Sequence, residues 1–270
     1  MLSVFEKTAW AHAPETRLGG VTMTTASRPE LLDLLARDQA LVVAEGRRAP
    51  RTVFDANAQG LSLYACDPNF RAALQQADLV HADGGFLVTL SRYLGSARIQ
   101  GRSCTTDMFT DIAAVAAEQG WSMYLLGATE PVNADCAAYL ERTYPGLRIA
   151  GRHHGFFLSN GIDNVVADIE RCAPDIIWVG LGKPIEQIVS IELARRVTAT
   201  WLITCGGCFN YVVGGYPRAP RWMQHANLEW LHRLWCDPKR LGRRYLTTNP
   251  HALWLVAIDA MRTSSARRSA

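Results

Sequence analysis

Residues 175–187 read DIIWVGLGKPIEQ, and this stretch decides the fold class. The apolar run from Ile176 to Val179 predicts a short, buried strand. The strand ends in a glycine-rich turn, and Pro184 stands near the start of a helical pattern over residues 186–197. A strand that runs through a tight turn into a helix is the first half of a βαβ unit.

The same alternation repeats along the chain. Strands are predicted at residues 41–44, 53–56, 79–81, 122–126, 176–179 and 201–204. Helices are predicted at residues 69–77, 85–94, 107–119, 132–144, 163–172 and 186–197. We therefore expect an α/β fold with a mostly parallel, Rossmann-like sheet flanked by helices. Such sheets bind ligands beyond the carboxyl ends of their strands, so the residues that follow each strand are the candidates for function.

The last fifth of the chain differs from the rest in charge. Residues 217–270 hold ten Lys or Arg against three Asp or Glu, a net charge of +7, whereas the whole chain carries +3. We expect an α/β core over residues 1–216 and a basic, Trp-rich helical appendage over residues 217–270. The appendage is predicted to contain helices at 221–235 and 240–246, with an interruption at Pro238 between them and with Pro250 ahead of the last apolar patch.

Two interpretations of this appendage stay open. Basic residues mixed with Trp and Leu are typical of a surface that lies on anionic lipid. The alternative is a helical hairpin packed on the core, with its Arg side chains in solvent.

Composition narrows the class of protein. With 270 residues and 49% hydrophobic content, the chain can bury a sizeable core. Its seven cysteines are odd in number and scattered, which favours a reducing compartment. We see no signal peptide and no apolar stretch long enough to span a bilayer. The expected location is therefore cytoplasmic, with peripheral attachment to the inner face of the cell membrane.

Asp83 is the first candidate for catalysis. It follows a predicted strand and precedes two glycines that let a substrate approach the backbone. A carboxylate at this position could accept a proton from an attacking hydroxyl group as a general base. The alternative role is structural, in which Asp83 caps the helix that follows it.

The turn over residues 180–184 is a candidate site for phosphate, because backbone N–H groups at a helix start attract anions. It lacks the third glycine of a dinucleotide fingerprint, and Pro184 after Lys183 excludes a Walker A loop. A nucleotide diphosphate stays possible. Cys205 and Cys208 have the spacing of a zinc or redox pair, but no second pair completes a four-ligand site.

No Asp-x-Asp motif stands on a loop where a cation could hold a diphosphate. Arginine is the residue best suited to neutralise phosphate without a metal, because its planar fork binds two oxygens at once. Arg240, Arg243 and Arg244 share one predicted helical face, and Arg218 lies ahead of them. The alternative is that these side chains are only solvated surface charge.

Several segments, in this order, resemble the WecG/TagA/CpsF glycosyltransferases. They are DAN (55–57), ADG (82–84), RIQG (98–101), TD (106–107), LLG (125–127), GFF (155–157) and DIIWVGLGKP (175–184). The strongest likeness lies between residues 206 and 245, with RAP (218–220), LEW (228–230), HRL (232–234), DPKR (237–240) and RRY (243–245). Each segment alone is weak, whereas the ordered set is specific.

The resemblance implies an inverting glycosyltransferase that needs no metal or other cofactor and no nucleic acid. Its substrates would be a UDP-sugar and a sugar on a polyprenyl diphosphate, and a homo-oligomer is possible. Asp83 would be the base, and the acceptor site would comprise Asp55, Asn57, Arg98, Thr106 and Asp107. The nucleotide-sugar site would comprise Gly127, Gly180, Gly182, Glu186, Gln187, Gly206, Gly207 and Asn210. The lid of the active site, which docks on an anionic membrane, would contribute Arg218, Arg233, Arg240 and Arg243 to the diphosphate.

Three positions depart from the family's pattern. The family's Thr is Asp55 in this chain, so a second carboxylate could share the acceptor pocket or compete with Asp83 as base. The motif P-K-Q-E reads PIEQ at 184–187, and Asn210 replaces an Asp. These departures favour the GumM-like exopolysaccharide branch and a β-1,4-glucosyl transfer.

Three alternatives stay open at this point. The first is transfer of N-acetylmannosamine or its uronic acid by a member of the same family. The second is a non-catalytic assembly protein at the membrane surface. The third, a nicotinamide-dependent oxidoreductase, is disfavoured by the missing glycine.

Overall fold

The computed structural model describes residues 14–157, 161–220, 222–223 and 229–268, without the side chains of Arg240 and of residues 263–268. The strands are β1 (Glu15–Leu18), β2 (Val21–Thr24), β3 (Arg51–Ala56), β4 (Leu79–Ala82), β5 (Ser122–Gly127), β6 (Arg148–His153), β7 (Ile176–Gly180) and β8 (Trp201–Thr204). The helices of the core are α1 (Arg28–Glu45), α2 (Ala58–Cys66), α3 (Pro68–Gln75), α4 (Gly85–Leu94), α5 (Thr105–Gln119), α6 (Glu130–Thr143), α7 (Asp163–Cys172), α8 (Ile185–Ala194) and α9 (Cys208–Val212). Two further helices, α10 (Glu229–Cys236) and α11 (Pro238–Arg268), follow.

The fold is α/β, as the alternating pattern predicts. Six parallel strands form one sheet in the order β4-β3-β8-β7-β5-β6. The strands β1 and β2 form a separate antiparallel hairpin. Helices cover both faces of the parallel sheet, which explains why its central strands are buried along their whole length.

The core is densest around the central strands. Trp178 of β7 and Trp201 of β8 are fully buried, and Phe109 of α5 meets Trp178 edge to face, with ring centroids 4.8 Å apart. A second cluster covers the other end of the sheet, where Phe54 of β3 packs with Leu61 of α2. The carboxyl ends of β3 and β4 are therefore held between rigid layers.

The strand predicted at 41–44 is wrong, because those residues form the end of helix α1. The helix begins at a capping box, in which the Glu30 carboxylate accepts from the Ser27 backbone at 2.7 Å. Val42 is buried while Val43 is 78% exposed. An amphipathic helix separates neighbouring residues in this way, whereas a fully buried strand would bury both. The sequence reasoning also missed β6, an edge strand that mixes polar and apolar residues and has no fully buried one.

The helices of the appendage differ from their prediction in extent. Of the helix predicted at 221–235, residues 222–223 and 229–235 are helical, whereas 221 and 224–228 lie outside the described residues. The helix predicted at 240–246 is part of α11, and Pro250 lies inside it. Proline removes the N–H that would bond the carbonyl of Leu246, and because Leu246 is 79% exposed, water can supply a replacement donor. Farther along α11, Ala252 and Val256 are buried in the second core cluster. This part of the appendage is therefore built into the core, and the division at residue 216 stays a prediction.

Candidate active site

A cavity of about 260 Å³ opens at the carboxyl ends of β3 and β4, between the core and the helices α10 and α11. The core contributes Asn57, Asp83 and Arg102 to its wall. The appendage contributes Glu229, Trp230, Arg233, Arg244, Tyr245 and Thr248. Residues that are far apart in sequence thus share one cleft, at the edge of the sheet where ligands of parallel sheets bind.

Asp83 lies half-buried in this wall, immediately after β4. Its backbone N–H donates to the carbonyl of Ala56 at 2.7 Å, which ties the ends of β3 and β4 together. The carboxylate Oδ1 accepts from the backbone N–H of Thr105 at 3.2 Å. Asp83 therefore does not cap α4, the helix that follows it in sequence, but touches the first turn of α5.

Asn57 follows β3 as Asp83 follows β4. It caps α2, because its side-chain oxygen accepts from the backbone N–H of Gly60 at 3.1 Å. The same side chain lines the cavity beside Asp83. While the amide oxygen of Asn57 caps α2, its NH₂ group is suited to donate to a hydroxyl group.

His81 lies in β4, two residues before Asp83, and is fully buried. Its Nδ1 lies 2.9 Å from Ser103 Oγ, and that hydroxyl donates to the carbonyl of Ala82. Nδ1 is therefore the protonated nitrogen of the imidazole. Burial lowers the pKa of His81, which keeps the ring neutral beneath the site.

Two guanidinium groups meet one carboxylate across the cavity. Glu229 accepts from Arg102 Nη1 at 2.7 Å and from Arg233 Nη2 at 2.9 Å. Burial alone would lower the pKa of Arg233, but the neighbouring Tyr211, Asp83 and Glu229 raise it on balance. Arg233 is thus a fixed positive charge close to the candidate base.

A second ionic cluster lies beside the cavity and is centred on Asp107. Its carboxylate pairs with Arg28 at 3.1 Å, with Arg102 at 3.5 Å and with Arg218. Asp107 and Arg218 do not line the cavity. The structure therefore places these two predicted site residues in an ion cluster that joins the core to the start of the appendage.

Asp55 lies in β3, but its carboxylate does not reach the cavity. It forms an ion pair with the Lys183 ammonium group and accepts from Thr204 Oγ1 at 3.2 Å. The residue is 4% exposed. Burial alone would raise the pKa of Asp55, yet Lys183 lowers it on balance, so the carboxylate is charged and engaged. The hypothesis that Asp55 competes with Asp83 as base does not fit this placement.

Lys183 lies between two carboxylates. Besides pairing with Asp55, its Nζ lies 3.6 Å from Glu186 Oε1, and both side chains are almost completely buried. Burial raises the pKa of Glu186, whereas the carboxylates hold the pKa of Lys183 above its usual range against the opposing effect of burial. Two of the three departures from the family's pattern therefore contact the same ammonium group.

Glu186 also holds two of the predicted nucleotide-binding turns together. Its Oε2 accepts from the backbone N–H of Gly182 at 3.0 Å and of Gly206 at 2.9 Å. Glu186 and Gln187 are both fully buried. They are therefore placed to shape the turns from inside the protein instead of contacting a ligand.

The glycines of these turns serve backbone packing. A Cβ on Gly127 would come within 2.2 Å of the Gly180 carbonyl oxygen, and one on Gly180 within 2.9 Å of the Gly206 oxygen. Gly182 differs, because it has a φ of +80° and nothing within 4 Å of a Cβ position. At Gly127 and Gly180, the close approach expected between ligand and glycine is thus an approach between neighbouring turns.

The remaining predicted residues lie apart from the cavity. Arg98 and Arg243 are exposed and Thr106 is buried in α5, and none of them lines it. Gly207 and Asn210 belong to the turn before α9 and to α9 itself. The side chain of Arg240 lies outside the described residues. Asp83, Asn57 and Arg233 are the predicted residues that the structure brings together.

Sequence reasoning did not select Arg102 or Glu229 as site residues, and it placed Arg244 on the predicted arginine face without including it among the lid arginines. Glu229 belongs to the segment LEW, whose likeness to the family points to no particular role. Arg244 is the direct neighbour of Arg243, and only the rotation of α11 decides which of them faces the cavity. Arg102 had no signal in the sequence beyond its closeness to the segment 98–101.

Three other features bear on function: clusters of metal-binding side chains, reactive cysteines and membrane-spanning helices. Among the described residues, no group of three His, Cys, Asp or Glu side chains could hold a metal ion. Burial raises the pKa of the Cys205 and Cys208 thiols well above the usual value, so both are kept protonated. Of the helices in the described ranges, none is both long and apolar enough to cross a bilayer.

The chain is similar to known proteins over most of its length. A model of the glycosyl transferase WecG/TagA/CpsF family matches residues 16–266. The N-acetylglucosaminyldiphosphoundecaprenol N-acetyl-beta-D-mannosaminyltransferase of Bacillus subtilis (strain 168) is 30% identical over 187 residues, which cover 69% of this chain and 72% of that protein. The protein of the same name from Bacillus spizizenii is 29% identical over 178 residues, covering 66% and 68%.

Proposed function

Since the chain belongs to the glycosyl transferase WecG/TagA/CpsF family and is a glycosyltransferase, we propose that it transfers a sugar from a UDP-sugar to a sugar carried on a polyprenyl diphosphate. The observation that carries this proposal is the placement of Asp83 in the wall of a cavity that arginines also line. The names of the two Bacillus relatives describe an acceptor sugar on undecaprenyl diphosphate, which supports an acceptor of that class.

The proposed chemistry is a single displacement with inversion. An acceptor hydroxyl oxygen attacks the anomeric carbon of the donor, and the proton of that hydroxyl passes to the Asp83 carboxylate. The bond between the anomeric carbon and the β-phosphate oxygen breaks, and its electron pair leaves with UDP. Asn57 holds the acceptor in the cavity. The backbone N–H of Thr105 orients the Asp83 carboxylate that receives the proton.

The leaving diphosphate gains negative charge as the bond breaks. We assign its neutralisation to arginines of the cavity wall, chiefly Arg233. A divalent cation is not required, so turnover is expected to be the same with and without EDTA. A loss of turnover in EDTA that Mg²⁺ or Mn²⁺ restores would contradict this part of the mechanism.

Two donors are candidates. The departures at Asp55 and Glu186 favour a β-1,4-glucosyl transfer in exopolysaccharide biosynthesis, but both side chains contact Lys183 and not the cavity. Because both side chains act inside the protein, Asp55 and Glu186 are weak indicators of which sugar is transferred. The relatives favour N-acetylmannosamine as the transferred sugar. A panel of UDP-sugars offered with a short-chain lipid diphosphate sugar, with release of UDP as the readout, decides between the two.

The appendage supports work at a membrane surface. It exposes large apolar side chains, namely Trp222, Trp230, Leu231, Trp235, Leu246, Leu253, Trp254 and Met261. Together with the net charge of +7 over residues 217–270, this surface is suited to the interface of an anionic bilayer. We propose peripheral attachment at the cytoplasmic face, where a lipid-linked acceptor would be presented to the cavity.

The decisive test is Asp83→Asn. This variant keeps the hydrogen bond from Thr105, because an amide oxygen can still accept it, but it cannot take up the proton. We expect transfer to be abolished, while the thermal unfolding curve and UDP binding stay unchanged. Asp135→Asn, an exposed Asp on α6, is the matched control. Activity of Asp83→Asn within a few-fold of the unaltered protein would refute the assignment of the base.

A further inference from the structure

Glu229 occupies an unusual position for a carboxylate. It lies in the wall of the candidate active site, and its side chain is only 10% exposed. There it binds a guanidinium group of the core, Arg102, and one of the appendage, Arg233. A single internal anion thus joins two arginines that face the same cavity.

The charges of the cavity wall favour a more negative ligand. Asp83 and Glu229 are opposed by Arg102, Arg233 and Arg244, which leaves one positive charge in excess. The Nε groups of Arg233 and Arg244 are buried, and no hydrogen-bond partner is found for either among the described residues. Buried donors of this kind are costly unless an acceptor meets them, and phosphate oxygens are the acceptors that guanidinium groups bind best.

Arg102 is also held from its other side. Asp107 lies 3.5 Å from Arg102 Nη2, away from the cavity, while Glu229 binds Nη1. If Glu229 were displaced, Asp107 would keep the guanidinium group in place. Arg102 is thus anchored as a phosphate-binding side chain needs to be.

We propose that Arg102 is a further phosphate-binding residue of the active site, and that a diphosphate group replaces the Glu229 carboxylate on Arg102 and Arg233. The inference rests on the proposed function, since it adds a core residue to the arginines of the lid. A diphosphate carries at least twice the charge of a carboxylate, so it gains more from the two guanidinium groups than Glu229 does. Both substrates contain such a group, the nucleotide donor and the lipid carrier.

The test measures binding of inorganic pyrophosphate to the full chain by calorimetry, which requires no turnover. Loss of one charge-assisted hydrogen bond costs about 1.5–3 kcal/mol, so we expect Arg102→Ala to weaken binding about tenfold or more. Arg102→Lys keeps the charge without the fork and should lie between the two. Arg92→Ala, which removes an exposed Arg of α4, is the matched control and should leave binding unchanged.

Glu229→Gln separates the proposal from a purely structural brace. If Glu229 gives way to the ligand, removing its charge tightens pyrophosphate binding several-fold. If the ion pair only fastens the appendage to the core, Glu229→Gln weakens binding as Arg102→Ala does, and both lower the melting temperature together. The second pattern, or unchanged binding in Arg102→Ala, would overturn the proposal.

Two further arms identify the source of the diphosphate. UDP and geranyl diphosphate are titrated into the same variants, and the ligand that loses affinity in Arg102→Ala is the one that Arg102 binds. An equal loss in both arms supports a position shared by the two diphosphates in turn. The proposed transferase activity is tested separately, because it is measured as UDP release. If pyrophosphate binds as expected but no UDP is released, only the transferase activity is refuted.

Discussion

Lys183→Met tests how the interior of the site is held together. The Lys183 side chain is 6% exposed, and it lies between Asp55 and Glu186, whose side chains are 5% and 0% exposed. Methionine has a similar length and shape but no charge, so the substitution leaves the buried Asp55 carboxylate without its counter-ion. Breaking a buried ion pair in this way costs about 3–5 kcal/mol. For a chain of this size that corresponds to a fall in melting temperature of about 6–20 °C.

The assay is equilibrium unfolding in urea at pH 7, together with thermal unfolding. Lys239→Met is the matched control, because it makes the same chemical change at an exposed position of α11 and should cost about 0.5 kcal/mol or less. A third variant combines Asp55→Asn, Lys183→Met and Glu186→Gln. It removes all three charges at once and should regain most of the lost stability, since no uncompensated charge stays buried.

Two results would refute this reasoning. A loss below about 1 kcal/mol in Lys183→Met is typical of an exposed ion pair and would mean that the ammonium group is not enclosed. A triple variant no more stable than Lys183→Met would mean that the cost comes from packing and not from charge. In either case the buried ammonium group would no longer explain why carboxylates stand at positions 55 and 186.

Two further predictions concern pH and the membrane. Burial raises the folded-state pKa of Glu186 above its ordinary value of 4.5, so its contribution to stability is complete below pH 4.5 and is lost as pH rises through the folded-state pKa. The stability of the unaltered protein relative to Glu186→Gln should therefore fall as pH rises above 4.5 in urea unfolding, and a constant difference would contradict the raised pKa. Trp235 is 85% exposed on α10, and burying a large apolar side chain is worth about 1.5–3 kcal/mol, so Trp235→Gln should weaken binding to anionic vesicles about tenfold or more. Tyr93→Gln, at an exposed position of α4, is its control, and equal binding by all three proteins would place the membrane contact elsewhere.

The departures from the family's pattern have a physical explanation in the tertiary structure. Asp55 and Glu186 lie on different elements of the core, yet both contact Lys183. A carboxylate introduced alone into this interior would carry the full cost of desolvation, whereas a neighbouring ammonium group offsets it. The acidic residues are therefore best understood together with Lys183, and not as separate changes to a substrate pocket.

The sequence by itself determined the fold class and the position of the candidate base. Short apolar runs of β7 and β8 alternate with helical patterns, and that alternation is a local property of the chain. Asp83 and Asn57 could be found because each directly follows a strand, and the ends of parallel strands meet at one edge. Helix α1 was missed because its β-branched residues at 42 and 43 favour a strand locally, while its capping box and packing favour a helix.

Tertiary structure alone decided which charges meet. Asp55 and Lys183 are 128 positions apart, and Arg102 and Glu229 are 127 apart, so no local pattern could pair them. The choice between a solvated arginine and one that faces the cavity depends on the rotation of α11, which distant packing at Ala252 and Val256 fixes. A charged side chain acts through whatever lies within a few ångströms, and for this protein those neighbours come from elements joined only by folding.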